Sequence, residues 1–187
     1  MIKGVIFDFF GVIFSDDYWQ FVKQDRQTDT IFRDFTDEVN LGQIPWQAFV
    51  SKIAAATGKS LAEVNQMYES EKIDPRVTGM ILELHKTYKT GLITNAHHEF
   101  IDEILERHDL SQIFDTTVVS SRLGIIKPNP SIFEFALDQL GIEASEAVYI
   151  DDLARHVSAA GELGMKTILF QDFEQCKREL DPILSAG

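Results

Sequence analysis

The 187-residue chain has one cysteine, five prolines, few cations and no long apolar run, and each shortage narrows what it can be. Cys176 has no internal disulfide partner, and without a clustered Cys/His set there is no structural zinc site to expect. A single cysteine fits the reducing cytoplasm, which is the expected location. Seventeen Lys and Arg against 30 Asp and Glu leave a formal charge of -13. That charge repels polyanions, so no nucleic acid and no anionic membrane surface is expected as a partner. No window approaches the roughly 18 apolar residues that cross a bilayer. The first apolar run meets Asp8 almost at once, so no signal peptide is expected either. What remains is a chain that is 44% hydrophobic and carries 14 phenylalanines. That is enough to bury a substantial core as one domain, or one domain with a modest insertion.

Five short runs lack period-2 alternation and read as strands buried on both faces: GVIFDF (4–9), TGLIT (90–94), DTTVVS (115–120), AVYID (147–151) and KTILF (166–170). Between the later runs, PRVTGMILELHKTY, HHEFIDEILERH, PSIFEFALDQLG and LARHVSAAGELG place apolar residues at helical spacing. Strand and helix alternate from about 75 to 170, which predicts an α/β fold: a Rossmann-like parallel sheet with helices on both faces. Residues 16–74 interrupt the alternation with helical patterns punctuated by Gly42, Pro45 and Gly58. They read as a small helical cap inserted after the first strand, above the carboxyl ends of the strands where such sheets bind ligands. The core is then 1–15 with 75–187, and the tail after 171 reads as a short surface helix.

In a parallel sheet the carboxyl ends share one edge. Asp8 ends the first strand, Thr94 and Asn95 the second, Asp151 and Asp152 the fourth, and Lys127 follows the third in GIIKPNPSIF. Each type suits phosphoryl transfer. A carboxylate can attack phosphorus. Several carboxylates suit Mg²⁺, a hard cation that takes oxygen ligands. A hydroxyl, an amide and an ammonium can meet phosphoryl oxygens.

These four positions resemble the motifs of the haloacid dehalogenase-like hydrolase superfamily. KPNPSIFEFAL is similar to that family's KPxPxxF segment, and DDLARHVSAAGELGM to its DDxxxNVxxAxxLGM. The insertion resembles the family's C1 cap. GQIPWQAF together with Thr94-Asn95 looks closest to sugar-phosphate phosphatases and the phosphatase domain of epoxide hydrolases. The resemblance implies a Mg²⁺-dependent phosphatase of a small phosphorylated metabolite, working through an aspartyl-phosphate on Asp8. It implies Asp8 as nucleophile and metal ligand, with the Phe10 carbonyl, Asp151 and Asp152 as further ligands, one of the last two through water. Thr94, Asn95 and Lys127 would bind the phosphoryl group, and Gly11 would form the flexible turn beneath the cap.

Two positions depart from the family pattern. Phe10 replaces the second aspartate of DxD, the acid that protonates the leaving group, a role worth ~10² to 10⁴ in rate. His156 stands where the pattern has Asn, a change expected to matter little because it lies in the following helix. Phe10 keeps two alternatives open: a 2-haloacid dehalogenase, in which Asp8 attacks carbon without a metal, and a non-catalytic binder of a phosphorylated ligand. Asp16 or Asp17 is a further candidate for the missing acid. His97 and His98 follow Asn95 closely and read as surface residues at a helix start, with contact to substrate as the alternative. Trp19, Phe21, Phe32, Phe35 and Trp46 read as cap core, with pocket lining by one or two of them as the alternative.

Overall fold

Strand runs that are apolar at every position require cover on both faces of the sheet, and the chain supplies it. A computed structural model describes residues 1–14, 35–69 and 73–185. The strands are β1 (Gly4–Phe7), β2 (Lys89–Thr94), β3 (Thr116–Val119), β4 (Ala147–Asp151) and β5 (Lys166–Leu169), in the order β3-β2-β1-β4-β5 with every pair parallel. The helices are α1 (Trp46–Thr57), α2 (Leu61–Glu69), α3 (Pro75–His85), α4 (His98–Arg107), the short α5 (Ser120–Leu123), α6 (Pro130–Leu140), α7 (Ala154–Glu162) and α8 (Phe173–Ser185). A further helical segment covers 35–40.

Alternate residues of β1 point to opposite faces. Val5 and Phe7 pack with Val77 and Ile81 of α3, Ile101 and Ile104 of α4, and Cys176 and Leu180 of α8. Ile6 faces the other way, onto Ile132, Phe133 and Ala136 of α6 and Ala160 of α7. The tail forms the surface helix the sequence suggested: α8 is 13 residues long with more than half of them exposed, and Cys176 and Leu180 anchor it in the first of these clusters. The first strand also ends sooner than the run 4–9, although the Asp8 amide still donates to the Ile150 carbonyl at 2.9 Å.

A third cluster, formed by Val39, Phe49, Val50, Ile53, Ala54 and Val64, lies in 35–69, with Phe35 and Trp46 partly buried against it as the sequence suggested. Ser60 and Glu63 start α2 with reciprocal bonds: Ser60 N–H donates to the Glu63 carboxylate at 2.8 Å, and Glu63 N–H to the Ser60 hydroxyl at 3.2 Å. Phe100 of α4 packs on both the 35–69 cluster and the sheet core. Asp16, Asp17, Trp19, Phe21 and Phe32 lie outside the described residues.

Candidate active site

The register sets the site. Phe7 pairs with Leu92 on one side and with Ile150 on the other, so Asp8 comes level with Asp151, and Thr94 ends the strand on its opposite flank. Lys127, buried at 2% exposure, reaches into this edge from the loop after α5. Its Nζ lies 2.7 Å from Asp8 Oδ1 and 2.9 Å from Asp151 Oδ2, and it donates to the Ile93 carbonyl and the Tyr149 hydroxyl, each at 3.0 Å. Tyr149 O–H in turn donates to Asp151 Oδ2 at 2.5 Å. Burying three ionisable groups is costly unless each is paired, and here each is.

Asp151 is saturated. Its Oδ1 accepts from the Leu153 amide at 2.8 Å, and His156 Nδ1 stands 3.0 Å from Oδ2. Burial alone would raise its pKa, but the His156 hydrogen bond and the Lys127 charge hold it well below the usual carboxylate range. Asp8 goes the other way. Burial pushes it up to about 8; Lys127 opposes the rise and the charge of Asp151 reinforces it. Burial also lowers His156, against its bond to Asp151, and raises the Tyr149 hydroxyl well above its ordinary value. Two carboxylates of one cluster thus sit at opposite ends of the scale, a pattern typical of functional sites.

Asp152 is half-buried and faces the turn after the nucleophile. A Cβ on Gly11, whose φ is +79°, would lie 2.5 Å from the Asp152 carboxylate. The Asp8 contacts to Lys127 and to the Phe9 amide, at 2.7 Å each, both fall on Oδ1. Asp8, Asp151 and His156 also offer ligand atoms within 4.8 Å of one another. The Lys127 ammonium bridges those two carboxylates, however, so a cation there would meet a like charge. Asp152, facing the turn that follows Asp8, and the main-chain oxygens of that turn are further oxygen donors of the kind a hard cation takes.

The other expected residues are brought to the same edge in different ways. Thr94 is fully buried and its Oγ1 has no hydrogen-bond partner. The Asn95 side chain holds the Lys127 backbone: Nδ2 donates to the Lys127 carbonyl at 3.0 Å, and Oδ1 accepts from its amide at 2.8 Å. Phe10 stacks on Phe100 with ring centroids 6.1 Å apart, and Phe100 stacks on Trp46 at 5.0 Å. Ser120 Oγ accepts from the Ala96 amide at 3.0 Å and donates to the Asn40 carbonyl at 2.6 Å, tying the loop after β2 to the helical segment 35–40.

Sequence reasoning missed three residues. Tyr149 read as strand core, with no signal that its hydroxyl reaches the site. His156 was expected to matter little, yet it bonds Asp151. His97 read as a surface residue, with substrate contact as the alternative, but is 4% exposed; it is the N-cap of α4, and the Trp46 ring 6.3 Å from its own left no trace in local spacing.

A family model described as haloacid dehalogenase-like hydrolase matches residues 2–164. Among relatives, D-ribitol-5-phosphate phosphatase of Bacteroides thetaiotaomicron is 27% identical over the full length of both chains. Pig bifunctional epoxide hydrolase 2 is 28% identical over 86% of this chain, which spans only 32% of that protein's length. In fold, the chain resembles a HAD family enzyme of B. thetaiotaomicron solved in complex with magnesium and inorganic phosphate, with a TM-score of 0.75 at 21% identity over 94% of this chain and 99% of that one. It also resembles L-2-haloacid dehalogenase of Xanthobacter autotrophicus, with a TM-score of 0.68 at 18% identity over 97% of this chain and 83% of that one. With four motifs at one sheet edge and a family match over most of its length, the chain belongs to the haloacid dehalogenase-like hydrolases.

Proposed function

We propose that the protein is a Mg²⁺-dependent phosphatase of a small phosphorylated metabolite, with Asp8 as nucleophile and residues 16–74 as a cap over the site. The observation that carries this reading is the buried bridge of Lys127 between Asp8 and Asp151, with the unpartnered Thr94 hydroxyl beside it. A carboxylate oxygen held by an ammonium is oriented for attack, and an unpartnered buried hydroxyl lacks a partner that a phosphoryl oxygen could supply.

Asp8 attacks phosphorus, the bond to the leaving oxygen breaks, and water later hydrolyses the aspartyl-phosphate. Thr94 donates to a phosphoryl oxygen. Lys127 orients Asp8 and offsets charge, while Asn95 fixes the Lys127 loop and Asp151 anchors the ammonium. Asp8, Asp152 and the Phe10 carbonyl would hold Mg²⁺. When bound, the ion supplies positive charge that favours ionised Asp8 and polarises the phosphoryl group. Phe10 supplies no proton, so acyl phosphates and anomeric sugar phosphates, whose leaving groups need least help, suit the site best. The bulky ring at position 10 is also what a dehalogenase would carry; chloride release from a 2-haloacid in the presence of chelator would favour that second reading.

Purified protein should hydrolyse an aryl phosphate in Mg²⁺, and Asp8→Asn should lower turnover by roughly 10⁴-fold or more, the order found when a nucleophile is removed. Equal rates in the two proteins would refute the assignment.

A further inference from the structure

Among the described residues two buried side-chain polar atoms lack a hydrogen-bond partner, Thr94 Oγ1 at the end of β2 and His97 Nδ1 just before α4. The phosphoryl site accounts for Thr94 but not for His97. His97 occupies the N-cap position of α4 and makes no capping bond with its side chain. The neighbouring imidazole is anchored, since His98 Nδ1 lies 3.2 Å from Ser121 Oγ, and the two rings stack at 4.5 Å. His97 is thus held in place with a polar atom in reserve. Such an atom in a buried position points to a ligand.

Its surroundings indicate which part of a ligand. Trp46 lies 6.3 Å from the His97 ring and stacks on Phe100, which stacks on Phe10. This row begins two residues after Asp8 and ends three residues after Thr94, so both ends are tied to the groups that would flank phosphorus. We infer that Phe10, Phe100, Trp46 and His97 form the leaving-group subsite, where His97 Nδ1 hydrogen-bonds a hydroxyl on an otherwise apolar-faced phosphomonoester. The inference rests on the phosphoryl-transfer reading of the same site. Burial, with His98 alongside, lowers the His97 pKa. A neutral imidazole suits a hydroxyl, which can donate or accept, better than it suits a phosphate oxyanion.

The test is calorimetric binding, in Mg²⁺, of hydroxyalkyl phosphonates with the hydroxyl moved stepwise along the chain, each compared with its deoxy analogue. Wild-type protein should prefer one hydroxylated member by about tenfold, the worth of one hydrogen bond. His97→Ala should bring that ratio close to one while binding inorganic phosphate as the wild type does, and His97→Asn should restore part of the preference. A wild-type ratio of one throughout, a ratio unchanged in His97→Ala, or loss of phosphate affinity in that variant would each overturn the inference. Failure to hydrolyse any phosphomonoester would instead overturn the phosphatase reading, because the binding ratio does not depend on turnover.

Discussion

The carboxyl edge of the sheet and the aromatic row beside it are built on opposite terms. At the edge, Lys127, Asp8, Asp151 and Tyr149 neutralise and hydrogen-bond one another, and β1, β4 and the loop after α5 fix their positions. In the row, rings from Trp46, α4 and the turn after β1 meet through aromatic contacts, with one imidazole nitrogen unpaired. An electrostatic cluster of this kind tolerates little displacement, because each group's charge depends on its neighbours. Stacked rings tolerate shape changes and set only what fits beside them. The first arrangement suits chemistry common to many substrates and the second suits discrimination among them.

Three experiments probe this contrast, beginning with the largest effect. Lys127→Met leaves Asp8 and Asp151 buried without their shared cation, and breaking a buried pair costs about 3–5 kcal/mol. Urea unfolding should register that loss together with loss of turnover; a cost below ~1 kcal/mol would mean that the edge does not depend on its ammonium. Phe10→Asp places a carboxyl in the row and should speed hydrolysis of alkyl phosphates, whose leaving groups are poor, by ~10²-fold relative to aryl phosphates. Equal effects on the two classes would show that the row is not positioned to protonate a leaving group. The third experiment concerns pH. The Asp8 pKa is raised to about 8 in the fold, against about 3.9 in an unfolded chain. Its contribution to stability is therefore present in full below the unfolded value and is lost as pH rises through the folded one. In chelator, the melting temperature of Asp8→Asn minus that of the wild type should widen by roughly 10 °C from pH 5 to pH 9, and Mg²⁺ should narrow it. A gap that stays constant would show that Asp8 does not titrate in this range.

The same contrast explains what the sequence disclosed. Runs such as GVIFDF and AVYID carry apolar residues at every position because both faces of the sheet are covered, so sheet, crossover helices and convergent strand ends were all legible. Asp8, Thr94 and Asp151 were found because parallel topology brings strand ends together, and Lys127 because its KPNPSIF segment follows the third strand. His97 and Tyr149 were not found, because their roles come from long-range packing that local periodicity does not encode. α8 was legible as a surface helix, but that Cys176 and Leu180 are the side chains that anchor it depends on the same long-range packing.

The turn at Gly11 bears on how far the site can vary. Its φ of +79° is a left-handed conformation that costs other residues roughly 1–2 kcal/mol, and any β-carbon there would collide with the Asp152 carboxylate. Alanine, the smallest replacement, would displace either the loop that presents Asp8 or the acid facing it, and every larger residue would do the same. Mutational tolerance is thus inverted at this turn: the residue without a side chain is the one for which no other can stand in.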